Sequence, residues 1–255
     1  MIIPLNWHQK AETMLSVHRL VMLVGEPGIG KTLWAMNAAR TRTGNDAEML
    51  QGTPETEMNH FWGVYALTDG NTQFCDGPLP RALKKNRYLV IEEFNLIPLE
   101  SRASLLSLRG QSRITNPFTG EEIQIPETFR LIATSNPESI KCRKNTKISQ
   151  ALLDDFLILE VENMENKDIQ KMLATEFPQA KPEVLKEAMG LWKQFSTVST
   201  GGENGIRLSY RAAQHLMKLM MAGLDRESAM RIALVNKFIS DEDAFGAAKV
   251  AASIT

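Results

Sequence analysis

The first 160 residues alternate short apolar runs with stretches of helical periodicity. The apolar runs lie at residues 20–24, 48–51, 88–91, 129–134 and 156–161. A parallel sheet produces this pattern, because its strands are buried on both faces and successive strands are connected by helices. We therefore predict an α/β domain with a five-stranded parallel sheet flanked by helices.

The pattern changes after residue 162. Apolar residues then recur with a period of about 3.6, which is typical of amphipathic helices, at residues 167–176, 182–195, 209–222 and 226–238. A polar stretch at 162–167 separates the two patterns, and residues 196–204 are rich in Ser, Thr and Gly, as expected of a loop. The chain is therefore predicted to contain an α/β domain at 1–162 and a small all-helical lid domain at 163–255.

Composition and charge narrow the classes of partner. Lys plus Arg (29) nearly balance Asp plus Glu (30), so no global field attracts nucleic acid or lipid, and local patches must carry any such binding. Cys75 and Cys142 lie in no metal-ligand spacing, which suits a reducing compartment. No signal peptide and no apolar run long enough for a membrane span is evident. We expect a cytoplasmic protein with no membrane partner.

A phosphate-binding motif follows the first apolar run. Residues 25–32 read GEPGIGKT and fit the P-loop pattern GxxxxGK[ST], between a predicted strand and a predicted helix that begins near Lys31. In such a loop backbone N–H groups point at phosphate oxygens, the lysine contacts the β/γ oxygens, and the Thr32 hydroxyl reaches Mg²⁺. The motif predicts ATP binding by Gly25, Glu26, Pro27, Gly28, Ile29, Gly30, Lys31, Thr32 and Leu33.

Two carboxylates, Glu92 and Glu93, follow the apolar run 88–91. The carboxyl ends of parallel strands face the ligand crevice. We therefore predict that Glu92 joins Thr32 near the Mg²⁺ ion, and that Glu93 orients and deprotonates the attacking water. Two acids after an apolar run also fit a solvated strand end, and the phosphate loop favours the catalytic interpretation.

A polar residue, Asn136, ends the apolar run 129–134 together with Ser135. Its amide is suited to hydrogen-bond the γ-phosphate or the attacking water. Asn before Pro is also an ordinary turn signal, so the residue alone leaves both interpretations open.

Taken together, these motifs and the segments around them resemble the AAA+ superfamily and, within it, the MoxR-type branch related to midasin and dynein-like rings. The resemblance spans about residues 20–160 and rests on TPETE (53–57), FWG (61–63), GNTQFCDGPL (70–79), IEEFN (91–95), ITNPFTGEEIQIP (114–126) and FRLIATSNP (129–137). It implies that Asn136 is the sensor-1 residue. It also implies insert hairpins at 70–78 and 114–126, which in this family usually face the pore of a ring or a partner surface.

The predicted lid carries a further similarity. Residues 205–212, GIRLSYRA, are similar to the family's sensor-2 motif. The resemblance implies that Arg211, in the first turn of a helix, reaches the γ-phosphate, with Arg207 as the alternative. A solvated arginine at a helix start is the purely structural interpretation.

Two positions depart from the family pattern. Glu92 stands where relatives usually carry Asp, and a displacement of about 1 Å at a reacting centre can cost on the order of a hundredfold in rate. Asp155 stands where relatives carry an arginine that acts in trans on a neighbour's γ-phosphate. Arg143 is the only guanidinium in the basic loop 141–147 and is our candidate substitute.

The resemblance implies an ATP- and Mg²⁺-dependent ATPase that forms a homo-oligomer, a hexameric ring, and remodels or activates a protein or complex. The expected partner is a protein substrate or adaptor, such as a von Willebrand A domain protein. A nucleic-acid-associated motor or accessory ATPase is one alternative, and DNA-stimulated hydrolysis with a steep salt dependence would favour it. A slow ATP-dependent assembly switch is the other, and Glu92 and Asp155 support it.

Overall fold

A computed structural model of the protein describes residues 5–68, 70–136, 150–196, 208–240 and 242–253. Its internal contacts divide the chain into two compact units. The α/β unit contains Asn6–Glu26 and Gly30–Glu162, and the helical unit contains Pro27–Ile29 and the residues from Asn163 onward. Within the described ranges no helix has the length and apolar character needed to cross a membrane.

The α/β unit is built on strands that follow the predicted apolar runs closely. Its described strands are β1 (Leu20–Val24), β2 (Glu48–Gln51), β3 (Gly63–Thr68), β4 (Asn71–Asp76), β5 (Leu89–Glu92), β6 (Arg113–Thr115), β7 (Glu122–Gln124), β8 (Leu131–Ser135) and β9 (Leu157–Glu160). Its described helices are α1 (Asn6–Val17), α2 (Lys31–Thr43), α3 (Met58–Trp62), α4 (Pro78–Lys84), α5 (Leu99–Ala103) and α6 (Gln150–Leu153), with 3₁₀ turns at Phe94–Leu96 and Ser104–Leu108.

Five strands form one parallel sheet in the order β2-β5-β8-β1-β9, which confirms the predicted fold class. Every residue of β1 and β8 is buried, because these strands lie inside the sheet and helices cover both faces. In the register Val24 pairs with Ser135, and Ile91 pairs with Ala133. The segments that follow β1, β5 and β8 therefore leave the sheet at the same edge.

Two hairpins lie at the segments that the resemblance assigns to inserts, although the first begins at Gly63, before the assigned range 70–78. β3 and β4 pair antiparallel, as do β6 and β7. An aromatic cluster joins them: the ring centroids of Tyr65 and Phe74 are 5.1 Å apart, and those of Phe74 and Phe118 are 6.2 Å apart. The Tyr65 hydroxyl donates to the carbonyl oxygen of Phe118 over 3.3 Å. The two hairpins are thus linked to each other by side chains.

The helical unit has its own apolar core, which includes Leu173, Phe195, Leu216 and Phe238. One predicted helix was too long: residues 226–238 form an α-helix and a separate 3₁₀ turn, because the backbone of Leu234 (φ −117°, ψ −62°) breaks the helical repeat. Its described elements are α7 (Asn166–Glu176), α8 (Pro182–Ser196), α9 (Tyr210–Met221), α10 (Arg226–Ala233), a 3₁₀ turn (Val235–Phe238) and α11 (Glu242–Ser253).

Candidate active site

The phosphate-loop motif connects β1 to α2 at the carboxyl edge of the sheet. Gly28 (φ 80°) and Gly30 (φ 90°) have left-handed backbone conformations, which glycine adopts without the steric cost of a Cβ. Gly30 is the N-cap of α2 and supplies no side-chain acceptor to the first turn. The loop and the helix start therefore have the backbone form of an anion-binding site.

Lys31 begins α2 and is almost fully buried, with 7% of its surface exposed. Its Nζ donates to the carbonyl oxygens of Gly25 (2.6 Å) and Glu26 (2.8 Å) and to Oδ1 of Asn136 (3.3 Å). A buried ammonium needs such acceptors because desolvation penalises the charge. The lysine is thus held at the loop that it is predicted to serve.

Asn136 connects this lysine to the acidic strand end. Its Nδ2 donates to both carboxylate oxygens of Glu93, over 2.8 and 2.9 Å. Glu93 itself has a left-handed backbone (φ 48°, ψ 44°), a conformation that costs a non-glycine residue on the order of 1 kcal/mol and is concentrated at functional sites. Lys31, Asn136 and Glu93 therefore form one hydrogen-bonded chain.

One polar contact behind this chain was not predicted. The Ser135 hydroxyl donates to Oδ1 of Asn95 over 2.8 Å, and both residues are buried. The bond ties the end of β8 to the 3₁₀ turn after Glu93. Asn95 belongs to the quoted IEEFN segment, but nothing in the sequence indicated its partner.

The donors predicted for a metal ion are Thr32, in the first turn of α2, and Glu92, the last residue of β5. In the described part of the chain no group of three or more His, Cys, Asp or Glu residues could hold a metal. Mg²⁺ in nucleotide sites uses one or two carboxylates and completes its shell with substrate phosphates and water. One hydroxyl and one carboxylate at this edge fit an ion of that kind.

An aromatic cluster supports α2 from outside the sheet. The rings of Trp7 and Trp34 are 5.4 Å apart, and His8 lies edge-on to Trp7 at 4.3 Å. Burial lowers the pKa of His8 to about 4, and the nearby Glu12 carboxylate only partly opposes this. His8 is therefore neutral at pH 7 and acts as an aromatic packing residue.

Of the other positions singled out in the sequence, the structure describes Arg211 and Asp155. Arg211 lies in the first turn of α9, in the helical unit. The basic loop 141–147, with Arg143, lies outside the described residues, and so does Arg207. Asp155, the residue at the position of the expected arginine, makes an ion pair with Arg109 through Oδ2.

The α/β unit carries the sequence pattern of a known domain family. Residues 20–156 match the model of the AAA domain, dynein-related subfamily. The matched segment is more than half of the 255 residues, and it contains the phosphate loop, the acidic pair and Asn136. The protein belongs to this AAA family, which confirms the AAA+ prediction. The narrower assignment to the MoxR-type branch stays a prediction.

Individual relatives are distant. Midasin of Dictyostelium discoideum is 28% identical over 170 residues, which cover 66% of this chain but only 3% of midasin. An uncharacterized protein of Staphylococcus epidermidis is 26% identical over 190 residues, covering 69% of this chain and 68% of that protein. The crystal structure of NtrX from Brucella abortus in complex with ATP has a TM-score of 0.56 at 15% identity, covering 88% of this chain and 54% of NtrX. At that identity the likeness shows the shared fold.

Proposed function

We propose that the protein binds ATP with Mg²⁺, hydrolyses it, and uses the reaction within a ring of identical subunits to remodel a protein complex. The observation that carries the proposal is the hydrogen-bonded chain Lys31–Asn136–Glu93 at the carboxyl edge of a parallel sheet. Phosphoryl transfer needs a cation at the β/γ oxygens, a base or orienting group for water, and a polar group at the γ-phosphate. The three residues supply these three functions within one network.

Phosphate binding would use groups that are already oriented. The N–H groups of the loop and of the first turn of α2 would bind phosphate oxygens. Lys31 would exchange the carbonyl oxygens of Gly25 and Glu26 for the β/γ oxygens, because a phosphate is the stronger acceptor. Thr32 and Glu92 would hold Mg²⁺, which supplies positive charge to the β- and γ-phosphate oxygens.

Water activation falls to Glu93. Its carboxylate is accessible only in part and is oriented by the amide of Asn136. In the hydrolytic step it would accept a proton from the attacking water, while Asn136 keeps its orientation. Arg211 is the proposed sensor-2 residue that would contact the γ-phosphate from the helical unit.

A partner surface is supported by the two linked hairpins. Val64, Tyr65 and Leu67 of β3 are exposed by 50%, 58% and 75%, and Phe118 of the second hairpin by 39%. Exposed apolar clusters of this kind mark binding surfaces on proteins. They support a protein client or adaptor, in line with the proposed remodelling role, and a von Willebrand A domain protein is the specific candidate.

Calorimetric titration of ATP with Mg²⁺ tests the binding step. We expect Lys31→Ala to abolish measurable binding, because it removes the charge at the β/γ-phosphates, and Lys10→Ala, an exposed lysine 3.8 Å from Glu162, to bind like wild type. Equal affinity in wild type and Lys31→Ala would refute the site. Phosphate release by wild type tests hydrolysis.

Assembly and client class are tested with the Glu93→Gln variant, which should hold ATP unhydrolysed. Sedimentation should show a shift from small species to an assembly of about six subunits when ATP is added, since a bound nucleotide stabilises an interface by mass action. A monomer under all nucleotide conditions would refute the ring. Hydrolysis stimulated by DNA rather than by a captured protein would favour the nucleic-acid alternative.

A further inference from the structure

The ion pair between Arg109 and Asp155 lies at the opposite, amino edge of the sheet. It belongs to an open cleft of about 380 Å³ whose lining also includes His18, Arg19 and Arg130. Asp155 is the residue that replaces the expected arginine. The structure thus places a guanidinium against the carboxylate at that position.

The two partners differ in exposure. The Asp155 side chain is 9% exposed, whereas the Arg109 side chain is 53% exposed. Asp155 contacts Nη2 of Arg109, and a guanidinium has five N–H donors in a rigid fork. The nearly buried carboxylate therefore holds one end of a guanidinium whose side chain is half exposed.

The backbone around Arg109 is fixed on both sides. Nη1 of Arg19 donates to the carbonyl oxygens of Leu108 (2.7 Å) and Gln111 (2.8 Å), which flank Arg109 and the following Gly110. Gly110 makes the turn with a left-handed backbone (φ 60°). His18 donates from Nε2 to the carbonyl oxygen of Asp155 over 2.8 Å, so the acidic partner is held as well.

The neighbouring arginines are used differently. Arg19 and Arg130 donate to backbone carbonyl oxygens and connect distant parts of the chain. Arg109 contacts, among the described residues, the side chain of Asp155. A half-exposed arginine with a fixed loop and an oriented guanidinium is preorganised to donate to an anion outside its own chain.

We propose that Arg109, oriented by Asp155, donates its guanidinium to the γ-phosphate of ATP bound to a second copy of this chain. The inference rests on the proposed ring ATPase, in which a nucleotide bridges two subunits. Arg109 is then a catalytic residue acting in trans, and Asp155 is a positioning residue. Relatives carry the trans-acting arginine at the position of Asp155. In this chain the guanidinium is then supplied by Arg109, 46 positions earlier.

Steady-state hydrolysis tests the role of Arg109. A guanidinium supplied in trans is worth about 10³ to 10⁵ in rate, so Arg109→Ala should reduce turnover by at least about a hundredfold with ATP affinity nearly unchanged. Arg40→Ala is the matched control, because Arg40 makes an exposed ion pair with Asp46 elsewhere on the surface. Arg109→Lys keeps the charge but not the fork, and should recover only part of the rate. Turnover of Arg109→Ala equal to that of Arg40→Ala would overturn the inference.

Exchanging Arg109 and Asp155 tests whether the guanidinium is needed for turnover or only for the stability of the fold. Arg109→Asp combined with Asp155→Arg keeps the ion pair and moves the guanidinium to position 155, so it should recover turnover that Arg109→Asp alone has lost. Thermal unfolding of each variant shows whether a loss comes from misfolding. The role of the guanidinium would be overturned if the double variant folded but was as inactive as Arg109→Asp, and if Arg109→Lys was fully active.

Mixed assemblies test action in trans. Arg109→Ala subunits and Glu93→Gln subunits are each expected to be inactive alone, and their mixture should recover activity at interfaces that combine an intact Glu93 with an intact Arg109. Inactive mixtures would overturn action in trans.

Arg143→Ala in the same assays tests Arg143, the competing candidate for the trans-acting arginine. If the wild-type protein does not hydrolyse ATP, both the proposed function and this inference are wrong. If it hydrolyses ATP and Arg109→Ala does so equally well, only this inference is wrong.

Discussion

The two edges of the sheet use their positive charges in different ways. At the carboxyl edge, Lys31 binds carbonyl oxygens only six and five residues away and the side chain of Asn136. At the amino edge, Arg19 binds carbonyl oxygens that are 89 and 92 residues away, and Arg130 binds one 115 residues away. A local contact can be exchanged for a ligand without separating elements of the fold, whereas a long-range one cannot.

This difference indicates which cations can do chemistry. Lys31 can turn to a phosphate at little structural cost, but Arg19 and Arg130 connect α1, β8 and the loop before β6. Arg109 is the exception at the amino edge, because its guanidinium binds a side chain and is half exposed. The range and the type of the acceptors together thus separate a cation that holds the fold, such as Arg19, from one that can act on a ligand, such as Lys31 with its local carbonyl oxygens or Arg109 with its side-chain partner.

Among changes at the carboxyl edge that leave ATP bound, the largest effect should come from Glu93. Glu93→Gln keeps the shape of the side chain and removes its basicity, so we expect hydrolysis to fall by about 10² to 10⁴ while ATP binding is retained. Phosphate release and calorimetry measure the two quantities. Glu92→Gln is the companion variant. Because it removes the carboxylate proposed to hold Mg²⁺, ATP binding should depend less on Mg²⁺ in this variant. The roles of the two acids would be exchanged if Glu92→Gln alone lost chemistry and Glu93→Gln stayed active.

A smaller effect is expected at Asn136, where two replacements separate its two contacts. Asn136→Asp keeps an acceptor for Lys31 but loses the donor to Glu93 and adds a like charge beside it. Asn136→Ala removes both contacts. We expect turnover to fall on the order of tenfold to a hundredfold for the alanine variant, the cost of about one or two charge-assisted hydrogen bonds, and further for aspartate. Wild-type turnover in both variants would show that the contact with Glu93 has no role, because both variants lack its donor.

Much of the sheet could be predicted from sequence, because buried parallel strands leave continuous apolar runs at residues 20–24 and 129–134. Helix α1 was missed, although its buried residues Trp7, Ala11 and Leu15 repeat every four positions. Its polar residues mask that spacing. Helix α11 was missed because its many alanines give little contrast between faces.

The site was predictable as a set of residues but not as a network. The motifs nominate Lys31, Glu93 and Asn136 one at a time. Their hydrogen bonds depend on the register that brings the ends of β1, β5 and β8 to one edge. The pairing of Asp155 with Arg109 could not be predicted from the sequence for the same reason. The sequence shows a substituted position, and only the fold shows which residue packs against it.

At the amino edge the expected effect is on stability. Arg130→Ala removes three hydrogen bonds to the carbonyl oxygens of Leu15, Glu127 and Phe129. We expect unfolding free energy to fall by about 1–3 kcal/mol, the range for hydrogen bonds to charged groups. Turnover per folded molecule should change little. Denaturant unfolding and phosphate release measure these quantities, and a variant with wild-type stability and lost turnover would contradict the structural role of Arg130.

The smallest effect concerns the dependence of stability on pH through His8, which packs beside Trp34 on the helix that carries Lys31. The folded pKa of His8 is about 4 and its ordinary value is 6.5. As the pH falls below 6.5 the unfolded chain binds the proton first, so the folded state loses stability progressively between about pH 6.5 and pH 4. His8→Phe keeps an aromatic ring and removes the titration. After allowance for partial exposure, we expect wild type to lose about 1 kcal/mol more than His8→Phe between pH 7 and pH 5, measured by denaturant unfolding at both values. Identical losses would show that His8 takes up its proton in the folded protein as readily as in the unfolded chain.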